Sequence, residues 1–131
     1  MDELLIRSGD DVVRVRQQVR TAAAQNGLSL VDQTKLVTAA SELARNTLVH
    51  GGGGTARVEV VKSANGRTGI KLHFTDEGPG IADVNLALTD GWSSGNGLGL
   101  GLSGARRLVD EFELDSQPGA GTRVMVVKWS R

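Results

Sequence analysis

Apolar residues recur every three or four positions between residues 10 and 50, and between residues 55 and 76 they alternate with polar ones. Ahead of both patterns, Glu3 to Ser8 contains the run Leu4-Leu5-Ile6 and predicts a first strand. Val12, Val15, Val19, Ala22 and Ala23 then fall at helical spacing, with Asp10 or Asp11 as candidate cap and Asn26-Gly27 as the stop. A second helix has Asp32 as candidate cap and a seam of Leu36, Ala40, Leu43 and Thr47, flanked by Val37, Ala44 and Leu48. Thr55 to Ser63 sets Val58 and Val60 against Arg57 and Glu59, a half-buried strand. Gly69 to Asp76 returns with Ile70, Leu72 and Phe74 across an Asn65-Gly66 turn. Ala82 to Asp90 predicts a short helix, and Gly101 to Glu111 a third main helix with Leu102, Ala105, Leu108 and Val109. Phe112 to Ser116 and Thr122 to Trp129 form a closing hairpin. Hairpins combined with helices that must cover one sheet face predict an α+β fold, a two-layer α/β sandwich with a mixed, mostly antiparallel sheet.

At 131 residues, this is a single domain over 1–131 with one sizeable core. Fifteen Lys and Arg balance fifteen Asp and Glu, so charge favours neither nucleic acid nor a membrane surface. Without Cys there is no disulfide framework, thiolate nucleophile or cysteine metal site. No apolar run is long enough to span a bilayer, and Met1-Asp2-Glu3 lacks the basic start of a signal peptide, so a cytoplasmic location is expected. Glycine is the outlier: its 18 copies are about twice the usual ~7%. Most fall in clusters, at Gly51 to Gly54, Gly78 to Gly80, Gly95 to Gly104 and Gly119 to Gly121. Clustered glycine in a compact domain marks backbone that turns sharply or approaches a ligand closely.

Three of these features make a magnesium-nucleotide pocket when taken together. Glu42 and Asn46 stand four residues apart on one strip of the second helix. Asp76 ends a strand, where its carboxylate can accept the amino donor of an adenine, and Gly78-Pro79-Gly80 bends the chain away from a flat base. Gly97, Gly99 and Gly101 free backbone amides where a helix begins, a position that favours phosphate. Magnesium needs one or two oxygen ligands besides phosphate, and the amide oxygen of Asn46 qualifies. Glu42, one turn earlier, can take a proton from an attacking hydroxyl.

Each motif alone is weak. Glu42 and Arg45 could be solvated helix charge, and Asp76 to Gly80 an ordinary turn. Gly99-Leu100-Gly101-Leu102-Ser103-Gly104 matches a dinucleotide fingerprint, but no strand precedes it and too little chain follows for a doubly wound sheet. There is no G-x-x-x-x-G-K-[ST], so a P-loop is excluded. His50 reads as structural or exposed rather than as a phospho-acceptor.

In order along the chain, the three motifs resemble those of the GHKL, or Bergerat-fold, ATPases and kinases. Glu42 to Asn46 is similar to the N box, Asp76 to Gly80 to the first glycine box, and Gly97 to Gly101 to the second. Gly121-Thr122 resembles the strand-entry threonine that supports adenine binding. Within that family the Ser41-Glu42-Leu43-Ala44-Arg45-Asn46 string most resembles the RsbT-type serine/threonine switch kinases of the bacterial stressosome. So does the ending Leu108-Val109-Asp110-Glu111-Phe112 with Lys128-Trp129.

The resemblance implies transfer of phosphate from ATP, with Mg2+, to Ser or Thr of STAS-domain scaffold and antagonist proteins. It also implies activation of a PP2C-type phosphatase partner; the balanced charge and short apolar runs already lead to neither nucleic acid nor membrane as an expected partner. By the same resemblance Glu42 is the base, Asn46 holds magnesium, Asp76 reads adenine with Thr122 assisting, and Arg45 steadies phosphates or the partner. Gly78, Gly80, Gly97, Leu98, Gly99, Leu100 and Gly101 shape the base pocket and phosphate loop, and Ile81 to Asn96 form the lid. An RsbW-like anti-sigma factor kinase, which sequesters a sigma factor, shares the pocket and is the alternative. A binding module without catalysis and a nucleotide-dependent oxidoreductase are the remaining classes.

Overall fold

The computed structural model describes residues 3–80 and 101–131. In chain order they form β1 (Glu3–Ile6), α1 (Gly9–Gln25), α2 (Leu30–Val49), β2 (Gly54–Lys62), β3 (Thr68–Asp76), α3 (Leu102–Leu108), β4 (Glu111–Ser116) and β5 (Thr122–Trp129). The strands make one sheet in the order β1-β2-β3-β5-β4, with every described pairing antiparallel. The expected two-layer α+β sandwich is therefore the observed one. The short helix expected over Ala82 to Asp90, the lid from Ile81 to Asn96, and Gly97, Leu98, Gly99 and Leu100 lie outside the described residues.

Both long helices start two or three residues earlier than the aspartates suggest. Ser8, not Asp10 or Asp11, caps α1, and its hydroxyl accepts the Asp11 N–H while the Asp11 carboxylate accepts the Arg7 N–H at 2.8 Å. Ser29, not Asp32, caps α2 by accepting the Asp32 N–H at 3.2 Å. A Ser-x-x-Asp start satisfies amide donors that the helix itself leaves unpaired, so the aspartate belongs at the third helical position. Asp11 lies below the ordinary carboxyl range, chiefly because it accepts that Arg7 amide.

The seam read along α2 is buried: Leu36, Val37, Ala40, Leu43, Ala44 and Thr47 all face inward. Register sorts the sheet residues they meet into rows. Leu4, Ala56, Phe74, Val124 and Leu114 form one row, and Val58, Leu72, Val126 and Phe112 the next. Large fully buried side chains such as Leu36, Leu43 and Leu72 each contribute about 1.5–3 kcal/mol of burial. Val60 departs from its expected place, being 40% exposed. It belongs to the inward set, but β1 pairs only as far as Arg57, so Val60 sits on a stretch of β2 without that neighbour among the described residues.

Three other boundaries shift. The first strand stops at Ile6, because Ser8 is taken by the helix cap. The β2–β3 connection is a five-residue loop, Ser63 to Arg67, closed by the Ser63 N–H to the Arg67 carbonyl; Asn65-Gly66 lies inside it rather than forming a two-residue turn. The third helix ends at Leu108 instead of Glu111: Val109 is already extended, and Glu111 has joined β4 opposite Val127.

On the outer face of the sheet, His73 Nε2 lies 3.3 Å from Glu59 Oε1, with Arg57 also beside it. The His73 hydrogen bond, followed by the charge of Arg57, holds the Glu59 carboxyl below its ordinary value of 4.5. A depressed carboxyl contributes stability that is present above the unfolded value and lost as pH falls through the folded one. Glu59→Gln should therefore flatten the fall in stability below about pH 4.5. Urea midpoints of the two proteins compared between about pH 5 and 3 test this; parallel profiles would show that the pair adds nothing.

Candidate active site

At one end of the sheet, register aligns Ile6, Gly54, Asp76, Thr122 and Ser116 in a single row on the helix-covered side. The last turns of α2 and the start of α3 close over this row. Between them lies a pocket. Leu43, Phe74, Leu102 and Val124 give it apolar walls, while Asn46, His50, Asp76 and Thr122 supply the polar groups. Apolar walls with a few convergent polar groups suit a heteroaromatic base.

Each expected residue within the described chain can now be placed. Asp76 Oδ1 accepts the Gly78 N–H at 2.9 Å, which orients the carboxylate and leaves the second oxygen for a ligand donor. The Thr122 hydroxyl is 2.9 Å from that of Ser116, which also donates to the Gly121 carbonyl. Ser116 thus steadies the threonine from the neighbouring strand. Asn46 lines the same pocket from α2 and is half-buried. Gly80 lines it as well, with φ +76, a conformation that glycine adopts without steric cost.

Glu42 stands at the pocket margin, half-exposed, against the start of α3. Gly101 is left-handed at φ +68, and a Cβ there would overlap Glu42 Oε2 and come within 3.1 Å of Cδ. The carboxylate read as the base and the last glycine of the second glycine motif are therefore neighbours. Arg45 is on the solvent side, 61% exposed, with Nη1 3.9 Å from Glu42 Oε1. Surface pairs of that kind contribute about 0–1 kcal/mol.

His50, read as structural or exposed, is half-buried and lines the pocket one turn beyond Asn46. Its i+4 spacing from Asn46 was the available signal. Ser116 and Gly51 carry no local signal, since each matters only through a distant neighbour.

The residues present fit a magnesium nucleotide. The pocket offers an amide oxygen at Asn46, apolar walls and an oriented carboxylate. Among the described residues no group of three or more His, Cys, Asp or Glu could hold a metal ion, whereas magnesium bound largely through phosphates and water needs one or two protein oxygens. No described helix is long and apolar enough to cross a membrane.

Residues 31–130 match the histidine kinase-, DNA gyrase B-, and HSP90-like ATPase family, and the chain belongs to that family. It is similar to the serine/threonine-protein kinase RsbT of Bacillus subtilis, with 44% identity over 121 residues, covering 92% of this chain and 90% of the relative. An anti-sigma F factor of Thermoanaerobacter is 28% identical over 117 residues, covering 87% of this chain and 82% of the relative. Among solved structures, the RsbU and RsbW domains from Mycobacterium tuberculosis align with the whole chain at TM-score 0.66 and 21% identity. The chain spans 33% of that protein, and the likeness is one of fold.

Proposed function

We propose that the chain is an ATP-dependent protein serine/threonine kinase. In this reading it phosphorylates STAS-domain scaffold or antagonist proteins of a stressosome and acts as a switch on a PP2C-type phosphatase. The observation that carries this reading is the convergence of Asn46, Asp76 and Thr122 on one pocket, with Glu42 one helical turn before Asn46 and against Gly101, in a chain 44% identical to a serine/threonine-protein kinase. The anti-sigma F factor relatives favour the RsbW-like alternative more weakly, at 28% identity.

Asp76 accepts the amino hydrogen of adenine, and the apolar walls hold the ring. Asn46 would hold magnesium, which, when bound, neutralises phosphate charge. Glu42 takes the proton of the incoming Ser or Thr hydroxyl as its oxygen bonds to the γ-phosphorus. The bond from that phosphorus to the bridging oxygen breaks, and ADP leaves with the electron pair.

Transfer of labelled γ-phosphate from Mg-ATP to proteins of the source organism's extract tests the proposal, with the parental chain and Glu42→Ala in parallel. A small protein labelled on Ser or Thr by the parental chain alone supports it. If Mg-ATP binds and nothing is labelled, the chain is a nucleotide-gated binding switch instead.

Asn46→Ala tests the magnesium assignment separately. Affinity for ATP in the presence of magnesium should fall at least about tenfold, while affinity in EDTA stays near the parental value. Equal affinities of the parent and the variant with magnesium would remove Asn46 from the metal site.

A further inference from the structure

The glycine run that follows α2 is not accounted for by the nucleotide motifs, and its first member lies against Asp76. The His50 and Gly51 N–H groups both donate to the Asn46 carbonyl at 3.0 Å, so Gly51 is fixed to the turn of α2 that carries Asn46. A Cβ on Gly51 would overlap Asp76 Cγ and lie 2.5 Å from Oδ2 and 2.6 Å from Cβ. All three of its nearest atoms belong to the Asp76 side chain.

The backbone of Gly51 is hemmed in from the far side too, since a Cβ on Gly78 would stand 2.7 Å from its Cα and carbonyl oxygen. Gly121 meets Asp76 from the third direction, where a Cβ would overlap its carbonyl oxygen and reach 3.0 Å from Glu77 Cα. The end of α2, the loop after β3 and the entry to β5 therefore interlock around one aspartate through three residues that lack side chains.

Oδ1 accepts the Gly78 amide, and Oδ2 is the oxygen that abuts Gly51. We propose that Gly51 is a positioning residue for nucleotide selectivity. Its missing side chain lets Oδ2 sit where it accepts the 6-amino group of adenine, so Gly51 sets the preference for ATP over purine nucleotides lacking that donor. The inference deepens the nucleotide reading above and rests on it.

A site built to receive a donor rejects the analogue without one, and a hydrogen bond to a charged group makes a difference of roughly 10- to 100-fold in affinity. The test measures dissociation constants of ATP and of purine riboside triphosphate, which has hydrogen in place of the 6-amino group. The proteins are the parent, Gly51→Ala, Asp76→Gly and the double variant. The parent should prefer ATP by roughly 10-fold or more. Gly51→Ala should lose most of that preference by weakening ATP alone, with binding of the analogue within about twofold of parental. In transfer assays its KM for ATP should rise with kcat nearly unchanged, a split that general distortion does not produce. In the Asp76→Gly background, which lacks the overlapped atoms, Gly51→Ala should change nothing further.

Gly52→Asn serves as the neighbouring control. Gly52 is left-handed at φ +74, a region Asn tolerates, and nothing lies within 4 Å of a Cβ there. Selectivity should be parental.

Equal weakening of both nucleotides by Gly51→Ala, or an undiminished effect beside Asp76→Gly, would overturn the proposal. A parent that binds the two nucleotides alike overturns the adenine reading itself, whereas a parent that prefers ATP and a Gly51→Ala variant that keeps the preference overturns only the role of Gly51. If Gly51→Ala alone fails to fold, the double variant must recover folding, and its failure to do so counts against the proposal.

Discussion

Glu42→Ala is expected to lower phosphoryl transfer 10²–10⁴-fold, the usual contribution of a general base, while leaving ATP affinity near parental. That loss corresponds to roughly 3–5 kcal/mol of barrier at 1.36 kcal/mol per decade. The separation of effects follows from the geometry. In the proposed site the base is held on the row of Asp76 and Thr122, while Glu42, 36% exposed, stands outside that lining against Gly101, where a protein hydroxyl can approach. Glu42→Gln should fall as far as Glu42→Ala, because the amide keeps the shape and loses the proton acceptor. Arg45→Ala should cost far less if its exposed pairing with Glu42 is its only role. Rapid-quench single turnovers with saturating Mg-ATP separate chemistry from binding. Transfer by Glu42→Ala at the parental rate would reduce Glu42 to a structural neighbour of Gly101.

Local periodicity carried most of the fold. Thr122 to Trp129 is legible at its observed bounds because a β-branched, apolar run follows directly on a glycine turn. Glu42 and Asn46 were legible because four residues on a helix is a fixed geometry. The failures share a cause. Asp32 looked like a cap because aspartate is a good one, yet its carboxylate is drawn to Lys128 and Arg131 from the far end of the chain, and Ser29 takes the cap. Val109 fits a helical pattern, but pairing of Glu111 with Val127 pulls the chain into β4 first. Gly51 sits in a run that reads as a plain helix stop, since its constraint comes from a carboxylate on another element. Tertiary contacts of this kind have no period and leave no local mark.

Lys128→Met should destabilise the fold by about 3 kcal/mol, the lower end of the cost of removing one partner from a buried ion pair. Lys128 belongs to the inward row of β5 opposite Ile70, and its side chain is only 5% exposed. Its ammonium lies 3.6 Å from Asp32 Oδ1 and 3.7 Å from Asp110 Oδ1. Arg131 bridges the same two carboxylates at 3.5 and 2.6 Å but is largely exposed. Methionine would leave two carboxylates facing one solvated guanidinium. The damage should reach the backbone, because Asp110 also accepts the Trp129 N–H at 2.7 Å, while Glu111 accepts the indole N–H at 2.8 Å. These contacts join the two strings, Leu108 to Phe112 and Lys128-Trp129, that stood apart in the sequence. Urea unfolding of Lys128→Met, Asp32→Asn and the double variant measures the coupling. The double variant should be more stable than the sum of the single losses predicts, since neutralising Asp32 removes one uncompensated charge. Strict additivity, or a loss below about 1 kcal/mol for Lys128→Met, would place the cluster with solvated surface pairs and leave apolar packing as the tie between the start of α2 and the end of the chain.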